Sequence, residues 1–431
     1  MSENKRSGAV VHIDLTPPAG CEMDGYSDRK SPSEGIHDPI TGQLLLLEEG
    51  DKRIALITMD LIGVELAYSR RVREEVAGVL DTTPEFVLLT CSHTHSGPAG
   101  FMSKMLILQR EADEGLQEIV CRKLVGAAME AARNLQPVTL SIGNGTVYGI
   151  GTNRNDPKNG PFDPELIVLR MDEKHGEPLA VWMNYGCHPT VLGASNLQIS
   201  ADYPGAARDA LRQIYPQTVF MFSNGASGDI STRFNRREQT FREVTRMGRI
   251  LAGETLKAMQ IAVPLSGSGL GGAAEEINLP YKSFPTRTEA EALLAQCEME
   301  LESLHKQKAP ENELRRLFTT TQGARFQLEL LGEFEGKSGQ SSLIQALYIG
   351  DLGLVGLPGE PFTQIVLDLK GRSEFAWTAV LSYANDEAGY FPDRETYEAG
   401  TYESFISPFC DNIAEIVTKR AIHLLERVRH A

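Results

Sequence analysis

The feature that most constrains the fold is an alternation of short apolar segments with longer amphipathic ones. RIALITMD (Arg53 to Asp60) and EFVLLTC (Glu85 to Cys91) are apolar runs of strand length. Between them, YSRRVREEVAGVL (Tyr68 to Leu80) repeats its apolar residues at helical spacing. Strands that are apolar on both faces are typical of sheets covered on both sides. The alternation therefore predicts an α/β fold with a mixed β-sheet core covered by helices.

The same alternation continues along the chain, so we expect one large domain that covers residues 1–431. Further strands are predicted at Leu166–Asp172, Leu179–Tyr185, Thr218–Ser223, Leu352–Pro358 and Trp377–Tyr383. Further helices are predicted at Gly115–Leu135, Pro204–Ile214, Phe241–Met259 and Phe405–Val428. One segment, about 286–335, is charged, rich in Glu and Leu and poor in strand signals, which predicts a helical insertion.

Charge and hydropathy exclude several classes of partner. The formal net charge is −16, and nucleic acids and anionic membrane surfaces are bound by basic patches. No apolar run approaches the ~20 residues that span a bilayer, so no transmembrane segment is expected. The polar N-terminus has no apolar signal region, and the six cysteines are scattered. These features favour a cytoplasmic protein with free thiols; they do not indicate an oligomeric state.

Side chains that can bind a metal follow four predicted strands at the point where each strand ends. They are His93 and His95 in SHTHSGPAG, His188 in NYGCHPT, Glu360 in LPGEPF, and Tyr390, Tyr397 and Tyr402 in the last tyrosine-rich loop. Sites on α/β sheets lie beyond strand ends, and catalytic zinc uses nitrogen and oxygen donors with one open position. Taken alone, the two close histidines are as typical of a structural loop as of a site, whereas His188 and Glu360 are more typical of a structural histidine and a helix cap, and the tyrosines could be ordinary loop packing. Together they predict a Zn²⁺ site.

The segment SNGASGDISTRF (Ser223 to Phe234) follows a further strand and is rich in small residues. Its glycines would let backbone amides approach a ligand closely. Ser231 is a candidate nucleophile and Asp229 a candidate supporting carboxylate. The alternative is an ordinary Gly/Ser turn that caps the next helix.

These motifs together resemble the catalytic domain of the neutral (neutral/alkaline non-lysosomal) ceramidases. The resemblance covers most of the chain and rests on IDLTPPAG, GIHDPI, HTHSGPAG, TNRN, FDPEL, NYGCHPT, ISADYPG, NGASGDIS, LPGEPF and the tyrosine-rich loop. HTHSGP followed in order by HP and GD-x-S is the specific part of this pattern. The family is zinc-dependent and hydrolyses the amide bond of N-acyl sphingosine.

The resemblance implies a role for each motif residue. His93, His188, Glu360 and Tyr390 would be the zinc ligands. His95 would face the substrate and protonate the departing amine, Arg154 and Tyr402 would stabilise the oxyanion, and Ser231 matches the serine of G-D-x-S. A metal-activated water, Ser231 or both would attack the carbonyl of a small N-acylated substrate. These assignments imply a zinc-dependent amidohydrolase of lipid metabolism that acts on linear amides.

Two departures from the family pattern concern the substrate. Thr232 and Arg233 follow Ser231 where the ceramidases have Pro-Asn, and a cationic residue there suits a polar or anionic substrate. The chain ends shortly after Tyr402, so no C-terminal β-sandwich domain is expected. Two alternatives therefore stand beside the amidase: a zinc hydrolase of a more polar ester, lactone or cyclic amide, and a non-catalytic binding protein.

Overall fold

Two β-sheets, packed face to face, form the centre of the fold. The computed structural model describes residues 6–102, 111–173, 176–334 and 336–430, and within these ranges it contains nineteen strands and ten α-helices. The strands are β1 Arg6–Asp14, β2 Gly35–Ile36, β3 Thr41–Glu49, β4 Lys52–Met59, β5 Val87–Cys91, β6 Gln136–Thr146, β7 Thr152–Asn153, β8 Glu165–Glu173, β9 Pro178–Tyr185, β10 Gln198–Ile199, β11 Val219–Asn224, β12 Ile230–Ser231, β13 Val263–Pro264, β14 Leu270–Pro280, β15 Gly339–Ile349, β16 Leu352–Gly356, β17 Glu360–Pro361, β18 Trp377–Leu381 and β19 Tyr390–Phe391. The α-helices are α1 Leu66–Leu80, α2 Glu114–Arg133, α3 Asp202–Arg212, α4 Phe241–Ile261, α5 Arg287–Lys306, α6 Glu311–Leu330, α7 Thr363–Arg372, α8 Arg394–Ala399, α9 Tyr402–Ile406 and α10 Ile413–Arg429.

Both large sheets mix parallel and antiparallel strands. The first has the order β11-β9-β8-β6-β1-β3-β4-β5, with β13 added beside β6, and the second has the order β14-β15-β16-β18. The pairs β4/β5, β9/β11 and β16/β18 are parallel, and each neighbours antiparallel strands. Leucine and isoleucine side chains of both sheets share one buried cluster, including Leu45, Leu140, Leu347 and Leu354. This cluster is the layer between the two sheets.

Helices cover the outer faces of both sheets. In the first sheet, helices α1 and α2 pack against strands β1, β3, β4 and β5. Helices α3 and α4 pack against strands β8, β9 and β11 of the same sheet. Helices α7 and α10 pack on the second sheet. Strands such as β5 are buried at every residue because both of their faces are covered. The predicted class, an α/β fold with a mixed sheet core covered by helices, is confirmed.

Two helices, α5 and α6, occupy the segment 286–335. Thr286 and Glu289 form a reciprocal capping box at the start of α5, and Pro310 stands at the N-cap of α6. The predicted helix Phe405–Val428 is wrong as a single element. It is two helices, α9 and α10, separated by the segment 407–412, where Pro408 has no backbone N–H to continue the helical hydrogen bonds. Among the described residues, no helix is both long and apolar enough to cross a membrane.

Candidate metal centre and active site

Strand ends from both sheets deliver polar side chains to one place. His93 follows β5 and His188 follows β9 in the first sheet, whereas Glu360 and Tyr390 follow β16 and β18 of the second. The potential ligand nitrogens of His93, His188 and His95 all lie within 4.8 Å of one another. The geometry therefore brings together groups that are separated by up to several hundred residues in the sequence.

Short backbone ladders fix which of these residues are neighbours. In the parallel pair β17/β19, Glu360 lies directly opposite Tyr390. An isolated parallel bridge sets His188 beside Ser231. Strand β12, which contains Ser231, pairs in turn with β7, and the Arg154 amide just after β7 donates to the Asp229 carbonyl at 2.7 Å. In extended segments successive side chains point to opposite faces. Residues paired across a ladder therefore share a face, and their side chains lie next to each other.

All three imidazoles are anchored through the same ring nitrogen. Nδ1 of His93 lies 2.6 Å from the Ile62 carbonyl oxygen, Nδ1 of His95 lies 2.8 Å from that of Gly25, and Nδ1 of His188 lies 2.5 Å from that of Ser227. Since a carbonyl oxygen can only accept, each Nδ1 must carry a proton, and in the neutral ring Nε2 then presents a lone pair. Donation from the remaining ring N–H to a backbone carbonyl is how proteins orient histidine ligands of metals.

The Nε2 atoms point into a common space that holds a carboxylate. Glu360 Oε2 lies 2.9 Å from His188 Nε2 and 3.7 Å from His93 Nε2. Nε2 of His95 and of His188 are buried, and neither makes a hydrogen bond. Buried polar atoms are rarely left so. A cation between these lone pairs would satisfy them, and nitrogen plus carboxylate donors match the preferences of Zn²⁺.

Burial also sets the charge state of this cluster. It lowers the pKa of His93, His95 and His188 well below the ordinary value, with mutual repulsion among the rings adding to the effect at His93. Burial raises the pKa of Glu360, and the neighbouring His93 and Arg154 oppose that rise. Neutral imidazole is the form that binds a metal. The assignment of His93, His188, Glu360 and Tyr390 as ligands stays a prediction, and the Tyr390 hydroxyl hydrogen-bonds to Glu360.

His95 differs from the two other histidines in its exposure. His93 and His188 are each 1% exposed, whereas His95 is half-buried and its ring contacts Tyr26 at a centroid distance of 4.9 Å. The role facing the substrate, which the resemblance implies for His95, stays a prediction, and the ring also belongs to the group of three histidines that could hold a metal. With its proton on Nδ1, His95 has to accept a proton at Nε2 before it can donate one to a leaving amine.

Arg154 and Tyr402 lie beside Tyr390. Arg154 Nε is 2.6 Å from Glu403 Oε1, and its Nη2 donates to the Gly228 carbonyl at 2.6 Å. The guanidinium stands over the Tyr390 ring, 5.3 Å from the centroid, and the Tyr390 and Tyr402 rings are 6.4 Å apart. Burial raises the pKa of both phenols, so both keep their protons and can donate hydrogen bonds.

Ser231 is buried in the wall next to His188. Its Oγ accepts a hydrogen bond from the Arg233 amide at 3.1 Å, which caps the short 3₁₀ turn 232–234. Thus the capping function considered for this segment is present, and the serine is also adjacent to the histidine cluster. Asp229 holds the loop: it accepts from Thr363 N and Oγ1 at 2.9 and 2.8 Å, and burial raises its pKa to about 7.

Two residues of the site are absent from the sequence-based set. Tyr383 stacks on His93 at a centroid distance of 3.8 Å and reaches Ser227 Oγ at 2.6 Å and Glu360 Oε2 at 3.4 Å. Glu403 fixes Arg154. Tyr383 ends the predicted strand WTAVLSY, so the rule that singled out the other strand ends also points to it. Glu403 follows Tyr402 inside a helix and gives no comparable signal.

The chain matches a known protein family over a segment that includes part of the candidate site. The family model "Neutral/alkaline non-lysosomal ceramidase, N-terminal" matches residues 9–240, which include His93, His95, Arg154, His188 and Ser231. Glu360, Tyr390 and Tyr402 lie outside that match.

Individual relatives cover different shares of the chain. Neutral ceramidase A of Dictyostelium discoideum is 26% identical over 218 residues, 46% of this chain and 30% of the relative. The neutral ceramidase of Pseudomonas aeruginosa is 28% identical over 209 residues, 43% of this chain and 30% of the relative. The match thus spans under a third of each curated relative's length. The crystal structure of the Pseudomonas aeruginosa neutral ceramidase superposes with a TM-score of 0.78 at 19% identity, covering 99% of this chain and 75% of that one. The family model spans more than half of this chain, and the chain belongs to the neutral/alkaline non-lysosomal ceramidase family.

Proposed function

We propose that the protein is a zinc-dependent hydrolase that cleaves the amide bond of a small N-acylated substrate. One observation carries the proposal: three imidazoles, each anchored through Nδ1, bring potential ligand nitrogens within 4.8 Å of one another, and the buried Glu360 carboxylate lies beside two of them. His93, His188 and Glu360 would hold the ion, with Tyr390 or His95 as a further donor. When bound, zinc would supply a Lewis acid that polarises the amide carbonyl and acidifies a water molecule.

The residues around this centre supply the remaining requirements of amide hydrolysis. Arg154 is held by Glu403 and by the Gly228 carbonyl, and Tyr402 keeps its proton, so both can donate to an oxygen on which negative charge develops. Neutral His95 can take a proton at Nε2 and pass it to the leaving amine. Ser231 lies beside His188 and would attack the carbonyl or position a water.

The proposal is tested with the purified full chain, stripped of metal and reloaded with zinc. Hydrolysis is measured on N-acyl sphingosine, on N-acyl amines of matched acyl length and on the corresponding esters. We expect amide hydrolysis that chelation abolishes and one equivalent of zinc restores. For the variant His93→Ala, the matched control is His423→Ala, because His423 is an exposed histidine on α10.

Two results would contradict the proposal. One is full amide hydrolysis by metal-free protein, which would remove the metal from the reaction. The other is zinc binding with no turnover of any amide or ester, which would favour a non-catalytic binding protein.

A further inference from the structure

The candidate site has a buried floor and a half-buried mouth. The floor consists of His93, His188, Glu360 and Ser231, each at most 4% exposed. The mouth is defined here by Tyr26, His95, Arg154, Arg233, Thr319 and Tyr402, all of them half-buried. These residues are more exposed than the floor, and a substrate that approaches the floor from this side would meet them first.

Arg233 joins the floor to the mouth. Its backbone amide donates to Ser231 Oγ at 3.1 Å, and its Nη1 donates to Thr319 Oγ1 of α6 at 3.5 Å. Arg233 therefore connects the candidate nucleophile with helix α6. Its charge acts on the floor: burial lowers the pKa of His188, and Arg154 and Arg233 lower it further. Burial raises the pKa of Tyr402, and the same two arginines oppose that rise.

Helix α6 presents polar side chains next to Arg233. Thr319 contacts Arg233, and Gln322 donates to Asp28 Oδ2 at 3.5 Å. One residue further on, Gly323 lies so near Tyr402 that an added Cβ would come within 3.1 Å of the Tyr402 Cα. The part of the mouth beside Tyr402 therefore presents hydroxyl, amide and guanidinium groups.

More positive charge surrounds the mouth, although the chain as a whole carries −16. Arg29 is buried and donates to the carbonyls of Asp24, His95 and Asn196. Arg236 donates to the Thr190 carbonyl. Burial raises the pKa of Tyr26, and the charges of Arg236, Arg29 and Arg233 oppose that rise, so their fields reach the ring that contacts His95.

We infer that Arg233 and Thr319 form an anion-accepting subsite at this mouth, and that the substrate is an N-acyl compound bearing a carboxylate or another anionic group. A guanidinium recognises a carboxylate through charge-assisted hydrogen bonds, and the Thr319 hydroxyl accepts from Nη1 and so positions this guanidinium. The inference rests on the proposed amidase function and specifies its substrate class. The anionic group can belong to either half of the amide, and the test separates the two.

The experiment compares matched pairs of amides that differ only in one charge. The first pair is N-dodecanoyl glycine and its neutral glycinamide, with the charge on the amine half. The second is succinyl p-nitroanilide and butyryl p-nitroanilide, with the charge on the acyl half. The quantity measured is the ratio of kcat/KM for the anionic over the neutral member. A ratio cancels general damage to folding or zinc content, because both substrates meet the same enzyme preparation.

We expect a ratio of about tenfold or more for one pair, the size of one charge-assisted contact. Arg233→Met is expected to lower that ratio about tenfold, and Arg233→Lys to retain part of it. Arg242→Met is the control, since this arginine is exposed on α4 and pairs with Glu238. Ratios near one for both pairs, or a ratio unchanged in Arg233→Met, overturn the inference while amide hydrolysis itself stands. If the zinc-loaded wild type hydrolyses none of the four amides, both the proposed function and this inference are refuted.

Discussion

At the scale of single residues, the two nitrogens of each imidazole ring in the cluster have different surroundings. One nitrogen is committed to a backbone carbonyl, so the ring cannot rotate without losing a buried hydrogen bond. The other nitrogen is left without a protein hydrogen bond in His95 and His188. His93 is held further by the stacked ring of Tyr383 and by a left-handed backbone with φ of 67°. Such backbone strain in a non-glycine residue is typical of functional sites.

Replacing His93 with alanine is expected to remove zinc, because one of the converging lone pairs is lost and the others cannot move to compensate. Bound zinc should fall from about one equivalent to a small fraction, since catalytic sites rest on only about three protein ligands. Elemental analysis of the purified protein measures this directly. Ser231→Ala is the paired variant: it should keep its zinc and lose most turnover. Unchanged turnover in Ser231→Ala would exclude this serine from the mechanism.

Glu403→Gln is expected to lower kcat about 10- to 100-fold, the range of one hydrogen bond to a charged group. The substitution keeps the size of the side chain but removes the charge that holds the Arg154 guanidinium at 2.6 Å. Zinc content should not change, because Glu403 is not one of the converging donors. Steady-state kinetics with metal analysis separates the two effects. Glu374→Gln, at an exposed ion pair with His430, serves as the control. Loss of zinc instead of kcat would contradict the assigned role.

At the scale of secondary-structure elements, the hairpin α5–α6 packs against the candidate site through α6. Phe326 of α6 packs with Tyr390, Tyr402, Phe362 and Ile406. Helix α6 also contacts α9 closely along the Tyr402 backbone. The segment first notable for its charge thus supports two tyrosines of the candidate site from outside.

A pair of helical glycines tests this contact. A Cβ at Gly323 would lie 3.1 Å from the Tyr402 Cα, whereas a Cβ at Gly126, exposed on α2, would meet nothing within 4 Å. Gly126→Ala is expected to stabilise the protein by about 0.5–1 kcal/mol through helix propensity alone. Gly323→Val should destabilise it and reduce turnover, because α6 must move away from α9. Thermal unfolding and kcat measure the two effects, and equal behaviour of the variants would show that α6 does not bear on Tyr402.

Lys282 links the stability of α9 to pH. Its Nζ donates to the carbonyls of Ser404 and Phe405 at 2.7 and 3.0 Å, and burial lowers its pKa to about 7. Above pH 7 the folded chain has released a proton that the unfolded chain keeps up to a pKa of about 10.4. The unfolding free energy should therefore rise between about pH 7 and 10, by at most about 1.4 kcal/mol per pH unit.

Chemical denaturation of wild type and Lys282→Met at a series of pH values measures this effect. The difference in unfolding free energy between the two should grow with pH across that window. Lys257→Met, at an exposed ion pair with Glu254, should show no such trend. A Lys282→Met profile parallel to wild type would mean that the ammonium stays charged in the folded protein.

At the scale of the whole molecule, the candidate metal centre joins the two sheets. His93 and His188 come from the first sheet, whereas Glu360 and Tyr390 come from the second. Zinc should therefore stabilise the entire fold: free zinc at 100 times its Kd adds about 2.7 kcal/mol when only the folded state binds. Calorimetry with and without chelator measures the shift in Tm. His93→Ala should melt at the same temperature in both conditions, and a zinc-dependent shift in this variant would place the ion elsewhere.

The sequence predicts well where the buried strands end, but it predicts poorly which strand ends lie next to each other in the fold. Apolar runs such as VLLTC before His93 identify buried strands, because covered sheets leave no polar face. By contrast, β1 exposes alternate residues such as His12 and Asp14, so its pattern is weaker. The β17/β19 pair is two residues long, too short for any periodicity to show. Glu403 therefore emerges only once the chain is folded, since its partner Arg154 lies far away in sequence, whereas the strand-end rule could have found Tyr383.

The pairing of β17 with β19 has a consequence for engineering this protein. Surface connections usually tolerate insertions and deletions, and shortening them is a common way to make an enzyme more compact. The connection from Leu381 to Tyr390 is a different case, because a ladder of only two residues sets the Tyr390 phenol opposite the Glu360 carboxylate. A one-residue change in its length would turn Tyr390 to the opposite face. Loop redesign that spares every site residue but alters this spacing would yield a folded and inactive product.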